Sequence, residues 1–504
     1  MMSRLLRLVA LLLLSVASVQ QAAADSAREK RLLPDQVVNL LREAKLPLEA
    51  LGVVVLRASD GTVLLEHGAE RAMQPASTLK VLTSIVALDR LGPAYRGHTE
   101  LRTGAERKAD ALHGDVVLRG LGDPDFDWRA LQAMLQTVRF SGVRVLKGDL
   151  VLDRSYFQPG RPDAGVPPFD ETPEFRYNVI PDALLLNSNL QQLEMVSDEA
   201  GLRIGVTPAL DRVTVDSAMK IVDKPCADWE DLWKLPVVTK SEDGSLRVTL
   251  QGEFPRNCPV TTEISMLDRV DFADRLFRSL WSALGGIWTG AARDGTVAAD
   301  TRVLAEHQSR TLAEFNRDIL KRSDNPITRL MYLTLGAQRD ATVASGGGAL
   351  PSTSARGEQV LRQWLQEQKI NDAGLVLDNG SGLSRSERIT PITLAGVLRA
   401  AKQSRWAPEF MAALPIVGVD GGMRKRLTGG VAVGVARIKT GGLRNVVSVA
   451  GYVPDGNGEL CVVVAILNHD DAKSAVGKPI VDAVLAWVTG INARAASPET
   501  LPKQ

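Results

Sequence analysis

The sequence predicts an α+β fold: an antiparallel sheet with helices on both faces, a helical half, and a long, mostly β insertion. Three observations predict it. Near the front, "LGVVVLRASDGTVLLEHG" (residues 51–68) reads as two strands around Asp60-Gly61, a strong hairpin signal. Near the back, "GVAVGVARIKTGG", "VVSVAGYVPD" and "LCVVVAILN" read as three more strands joined by Gly, Pro, Asp and Asn turns, so both ends of the chain supply one sheet. From about residue 96 to about 299, strand-like pieces such as "GDVVLRG", "VRVLKGDLVLD" and "SLRVTLQG" alternate with turn-rich stretches, the texture of a β module.

The remaining elements follow in order. A chain of 504 residues exceeds one ordinary core and points to two or three domains. The first 25 residues, "MMSRLLRLVALLLLSVASVQQAAAD", carry Arg4 and Arg7, an apolar run from Leu8 to Val19, and an A-x-A site at Ala22–Ala24. That run is short for a bilayer span, so residues 1–24 are expected to be a cleaved export signal, with an uncleaved anchor as the alternative. The main domain is then expected over 25–95 and 300–496, interrupted by the insertion over 96–299 as two nested subdomains, with a tail at 497–504. "AVGKPIVDAVLAWVTGI" reads as a terminal amphipathic helix.

Composition excludes several function classes. With 45% hydrophobic and 24% charged residues the chain is neither disordered nor a membrane bundle. Sixty Lys and Arg against 59 Asp and Glu leave no global field to draw it to nucleic acid, and peripheral or no membrane association is expected. The five histidines show no H-x-x-x-H or H-E-x-x-H spacing and the three cysteines no C-x-x-C, so neither a metal nor another cofactor is expected. Cys226 ("DKPCADW") and Cys258 ("PRNCPV") lie in loop-like sequence, where an oxidising compartment favours a disulfide. Cys461, inside "LCVVVAIL", reads as a free core residue.

Candidate chemistry begins at "QPASTLKVLTSIVALDRL" (74–91). Pro75 can start a helix, apolar residues then recur at helical spacing, and Ser77 and Lys80, three apart, share a face beside an apolar neighbourhood that disfavours an ammonium. A serine cap with an amphipathic lysine would produce the same pattern. A second S-x-x-K, Ser217 to Lys220, sits in strand-like and turn-like sequence, where positions three apart face opposite ways. "KRSDNPIT" holds the sole S-x-N, Ser323-Asp324-Asn325, and "VARIKTGG" the sole K-T-G, Lys439-Thr440-Gly441. Each alone could be a turn. In the order S-x-x-K, S-x-N, K-T-G, on helix, loop and strand, they match the motif set of penicillin-binding proteins and class A β-lactamases.

The chain resembles the D-alanyl-D-alanine carboxypeptidase/endopeptidase family, the low-molecular-mass class C penicillin-binding proteins. The resemblance covers nearly all of the mature chain and includes "GDPDF" (122–126), "GDLVLDRSYF" (148–157), "DNGSGLSR" (378–385), "LPIVGVDGGMRKR" (414–426) and "AGYVPD" (450–455). Two positions depart from the family pattern: Asp420-Gly421-Gly422 stands where D-G-T is usual, and Gly442 stands where Thr or Ser often follows K-T-G. The resemblance implies a penicillin-binding transpeptidase/β-lactamase-like catalytic domain. It further implies a periplasmic serine DD-peptidase acting on peptidoglycan stem peptides and acylated by β-lactams.

Chemistry fits that implication. Serine needs a base, the chain has no G-x-S-x-G and no obvious histidine partner, and a lysine kept neutral by burial and a neighbouring cation can serve. Ser77 is therefore the expected nucleophile and Lys80 its base, a Ser-Lys variant of triad logic. The resemblance implies the other roles. Ser323 relays a proton to the departing D-alanine nitrogen, and Asn325 hydrogen-bonds the substrate backbone. Lys439 and Thr440 hold the terminal carboxylate, Lys439 also keeps Lys80 deprotonated, and Gly441 completes the motif. The N–H groups of Ser77 and Gly442 form the oxyanion hole, and Asp170 in "PPFDETPEF" recognises the stem-peptide amino group. A serine β-lactamase, or a non-catalytic β-lactam-sensing or wall-binding protein on the same fold, is the alternative.

Overall fold

The computed structural model describes residues 32–165, 172–338 and 351–492. The export segment, Asp170 and the tail at 497–504 lie outside the described residues. The chain divides into two compact units, Met1–Arg90 with Asn316–Ser323 and Leu361–Gln504, and Leu91–Phe315 with Asp324–Val360.

The first unit is built on the sheet expected from both chain ends. Its order is Arg437–Leu443, Val446–Pro454, Leu460–Asn468, Leu51–Arg57, Val63–His67, with every neighbouring pair antiparallel. The front hairpin turns at Gly61 (φ +81°), where Thr62 N–H donates to Asp60 Oδ1 at 2.8 Å. "LCVVVAILN" is an uninterrupted apolar run because both of its faces are covered. Cys461, Val463, Ala465 and Leu467 pack with the helices Asp35–Glu43 and Ser474–Gly490. On the opposite face, Tyr452 Oη donates to the Leu398 carbonyl of the helix Pro391–Gln403 at 2.7 Å. The terminal helix lies close on the sheet: a Cβ at Gly477 would sit 2.6 Å from Val447 Cγ2.

The second unit carries the insertion. A five-stranded mixed sheet runs Ala292–Gly295, Leu150–Asp153, Val116–Leu121, His98–Thr103, Arg302–Gln308, accompanied by three smaller sheets. Strands dominate, but among the insertion's described residues two long helices, beside the short Trp229–Leu232, add to what the strand-like texture predicts. Trp128–Phe140 is capped by Asp127, which accepts from the N–H groups of Arg129 and Ala130, and Arg269–Ala283 is capped by Asp268, which accepts from Val270 N–H. Their apolar stripes, Leu131, Leu135 and Val138 on one and Phe272, Leu276 and Leu280 on the other, share one core with the strands.

Cys226 and Cys258 form a disulfide and Cys461 is a buried free thiol, as their sequence contexts indicate. The bridge closes a 32-residue separation, and its cysteines share a hydrophobic cluster with Trp229 and Trp233. A loop of that size contributes about 3–4 kcal/mol in the chain-entropy view. Cys226→Ser/Cys258→Ser is thus expected to unfold this region at lower urea. Tryptophan fluorescence would report it, and an unmoved transition would contradict it.

Candidate active site

The Ser77 turn is shaped by its neighbours. Ala76–Leu79 is a 3₁₀ turn, and the α-helix begins only at Lys80 and runs to Leu91. In a 3₁₀ turn residues i and i+3 eclipse one another, which brings Lys80 Nζ to 2.9 Å from Ser77 Oγ. Ala76 takes φ +47°, a left-handed conformation that costs a non-glycine residue about 1 kcal/mol or more. Tertiary contacts hold it there. Asn468, ending the central strand, brackets Gln74 by accepting from its N–H (2.7 Å) and donating to its carbonyl (3.0 Å). Ser448 Oγ and Thr78 Oγ1 both donate to the Pro75 carbonyl at 2.7 Å. Ser77 is half-buried, whereas Lys80 is fully buried and also donates to the Ser381 carbonyl at 2.6 Å.

The K-T-G strand, Arg437–Leu443, is the edge of the sheet and passes directly beside this turn. A Cβ at Gly441 would lie 2.9 Å from both Ser77 N and Pro75 O, so only glycine lets the strand run so close. Lys439, 1% exposed, donates from Nζ to Ser323 Oγ (2.8 Å) and to the Thr440 carbonyl (2.7 Å). Ser323 itself sits at φ +61°, a second strained backbone at a motif residue. In this unit the structure thus brings Ser77, Lys80, Ser323 and Lys439 together in two hydrogen-bonded pairs.

Burial, and then the Lys80 charge, hold the Lys439 amine well below its usual 10.5. The consequence for stability has a definite sign. The cost of burying the Lys439 ammonium is complete below its folded pKa and is relieved as pH rises, because the unfolded chain holds its proton up to 10.5. Wild-type stability minus that of Lys439→Met is therefore expected to increase with pH across this window, by at most about 1.4 kcal/mol per pH unit. Urea unfolding of both proteins over a pH series checks it, and parallel curves would contradict it.

The two departures in motif sequence have a local account. A Cβ at Gly422 would press into the Thr440 side chain, 3.3 Å from its Cβ, so the glycine makes the room that Thr440 occupies. A Cβ at Gly442 would meet nothing within 4 Å, and the residue is exposed on the edge strand. Asp420 anchors the Gly421–Gly422 turn, pairing with Lys321 and accepting from Ile416 N–H at 2.8 Å. Burial opposes its charge, but Lys321 and that N–H hold its carboxyl below the usual range.

Asn325 belongs to the second unit. It is buried at the start of the helix Asn325–Gln338 and donates from Nδ2 to the Tyr177 carbonyl at 3.1 Å. Asp324 caps that helix through Ile327 N–H (2.8 Å) and receives two bonds from Arg176, which also pairs with Glu263. The Ser217 motif is not a site. Ser217 ends the strand Val213–Ser217 and Lys220 opens Lys220–Val222, both exposed, and Ser217 Oγ accepts from Met219 N–H at 3.1 Å.

Sequence reasoning missed Asn468 and Ser448, which hold the Ser77 turn, Ser381, whose carbonyl meets Lys80, and Arg176, which pairs with Asp324. The one available signal was "DNGSGLSR", quoted for its resemblance but given no role. Among the described residues no group of three or more His, Cys, Asp or Glu is arranged to hold a metal ion, and no helix is long and apolar enough to cross a membrane.

The family model of the D-Ala-D-Ala carboxypeptidase 3 (S13) family matches residues 33–489. A D-alanyl-D-alanine carboxypeptidase of an Actinomadura species is 29% identical over 476 residues, covering 90% of this chain and 84% of the relative. D-alanyl-D-alanine carboxypeptidase DacB of Haemophilus influenzae is 25% identical over 424 residues, covering 83% of this chain and 85% of its own. The crystal structure of penicillin binding protein 4 (dacB) from Haemophilus influenzae superposes with a TM-score of 0.74 at 23% identity, covering 90% of this chain and 99% of that one, which establishes a shared fold. With a family match spanning 457 of its residues and the serine–lysine pair in place, the chain belongs to the D-Ala-D-Ala carboxypeptidase 3 (S13) family of serine DD-peptidases.

Proposed function

We propose that this protein, exported to the periplasm, removes the terminal D-alanine from peptidoglycan stem peptides and also opens D-alanyl cross-links, with Ser77 as nucleophile. The observation that carries this assignment is the 2.9 Å contact between Lys80 Nζ and Ser77 Oγ, deep enough to exclude water from the lysine. In the proton state where the repulsion between the Lys439 and Lys80 amines is relieved by a neutral Lys80, that amine takes the Ser77 proton as Oγ bonds to the carbonyl carbon of the penultimate D-alanine. The resulting oxyanion is met by the N–H groups of Ser77 and Gly442, an arrangement worth about 10²- to 10³-fold per donor. As the C–N bond breaks, the leaving nitrogen receives a proton through Ser323, which Lys439 holds at 2.8 Å, and Ser77 is left as an ester. Water then gives a proton to Lys80 as it adds to the ester carbonyl, and Ser77 Oγ leaves with that proton, which frees the product carboxylate and returns the enzyme.

Lys439 and Thr440 receive the terminal carboxylate. Beyond its bridge to Ile416 at Arg437, the edge of the Lys439 strand suits backbone pairing with an extended peptide. Since Gly442 retains its N–H but offers no hydroxyl, it bears on carboxylate grip more than on the oxyanion. For Asn325, two residues beyond Ser323 in sequence, the resemblance supports hydrogen bonding to the substrate backbone, and for Asp170 recognition of the stem-peptide amino group. β-Lactams present a strained amide to the same serine and form a lasting ester; the Haemophilus influenzae protein of the same fold has been crystallised with one. Purified protein given a pentapeptide ending in D-Ala-D-Ala and a D-alanyl cross-linked dimer should release D-alanine from the first and split the second. Failure on both, with a stable penicillin ester formed, would mark a sensor. Rapid penicillin turnover would mark a β-lactamase.

A further inference from the structure

The "DNGSGLSR" segment takes no part in the reaction above, yet its backbone is curled around one buried carboxylate. Glu387 has 0% exposure. Its Oε1 accepts from the N–H groups of Asp378 (3.3 Å), Asn379 (3.0 Å) and Gly380 (2.7 Å), and its Oε2 from that of Gly382 (2.8 Å). Among the described residues no lysine or arginine pairs with it; the backbone alone supplies its counter-dipoles, an anion nest filled from within. Burial pushes this carboxyl above its usual range, more than the N–H bonds pull it back. With both oxygens serving as acceptors, the contacts match the ionised form.

Three consecutive residues of this loop touch the nucleophile's segment. The Gly380 carbonyl accepts from Thr83 Oγ1 at 2.7 Å. The Ser381 carbonyl accepts from Lys80 Nζ at 2.6 Å. Gly382, at φ +77°, lies so close to the Ala76 carbonyl and Ser77 N that a Cβ would be 3.0 Å from the latter. Every one of these contacts depends on where the peptide planes between Asp378 and Gly382 point, and Glu387 orients those planes.

We propose that Glu387 is a positioning residue for acyl transfer: its carboxylate sets the Ser381 carbonyl that aims Lys80 at Ser77, and the Gly382 backbone that seats the Ser77 turn. The proposal rests on the assignment of Ser77 and Lys80 as the acylating pair. A glutamine of the same shape cannot replace the carboxylate. Its amide NH₂ would face either the Gly382 N–H or the three others, donor against donor, and the loop would turn to relieve it.

The test is single-turnover acylation by a chromogenic cephalosporin, with labelling stoichiometry read by intact-protein mass spectrometry. Glu387→Gln is expected to label Ser77 to full stoichiometry with the first-order acylation rate about 10- to 100-fold lower, the scale of a misplaced catalytic group, and with half-saturation changed less than about threefold. A purely structural role would lower the fraction that labels and leave the rate of that fraction intact, and that result overturns the proposal. Should Glu387→Gln not fold, Thr83→Val removes the loop's side-chain tie to the helix without touching the carboxylate. It should slow acylation about 3- to 10-fold, and an unchanged rate there likewise overturns the proposal. A wild type that does not label at Ser77 would instead refute the underlying assignment.

Discussion

Ser77→Ala is expected to abolish both the penicillin adduct and D-alanine release, by at least about 10⁴-fold, because it removes the hydroxyl that Lys80 Nζ reaches at 2.9 Å. Alanine keeps the Ser77 N–H and the strained turn that the Gln74–Asn468 bracket and the Pro75 contacts impose. The substitution therefore removes chemistry and little else, and folding should be unaffected at a half-buried position. Ser217→Ala should leave adduct and activity at wild-type levels, since its hydroxyl accepts a local turn N–H and faces solvent. Mass spectrometry of the intact protein with penicillin over time, beside a D-alanine release assay, reads all of this. A label that persists in Ser77→Ala, or disappears in Ser217→Ala, would move the active site elsewhere.

Lys80→Met should slow acylation by about 10²- to 10⁴-fold, the range for loss of a positioned general base. Methionine fills the fully buried channel of the lysine stem without the amine that reaches Ser77 Oγ at 2.9 Å. The informative partner is Lys80→Arg. A guanidinium keeps the positive charge but does not give up its proton at any working pH. If Lys80 acts as a base, arginine is as inactive as methionine. If it merely supplies charge to the site, arginine restores part of the rate. Stopped-flow acylation by a chromogenic cephalosporin separates these outcomes, and partial recovery with arginine would refute the base assignment.

The residues that bear these predictions were legible because their signals are local. Ser77 and Lys80 lie three positions apart, and the S-x-N and K-T-G triplets are each contained in a few residues. The sheet was legible for the same reason. "LGVVVLRASDGTVLLEHG" carries its own turn, and a strand covered on both faces reads as an unbroken apolar run whatever its partners. The disulfide followed from two cysteines in polar context and a third in an apolar run. The helices Trp128–Phe140 and Arg269–Ala283 were equally local, each with an aspartate cap and a stripe at helical spacing, but they were hidden among the more numerous strands of the insertion.

Local sequence thus determined which residues can do chemistry, the motif order, and the strands that carry them. Only the tertiary structure decided how they meet. The Ser77 turn is 3₁₀ rather than α-helical because Asn468, 394 positions away, brackets Gln74 and because Gly441 lets a strand pass against Pro75 and Ser77. The depressed Lys439 amine depends on its burial and then on Lys80, and the room for Thr440 depends on Gly422. Lys80 is aimed by a carbonyl that a buried glutamate orients from six positions further on. Such pairings leave no periodicity in the chain. Hydrogen bonds and close contacts act over a few ångströms in space, and folding, not sequence distance, decides which groups come within that range.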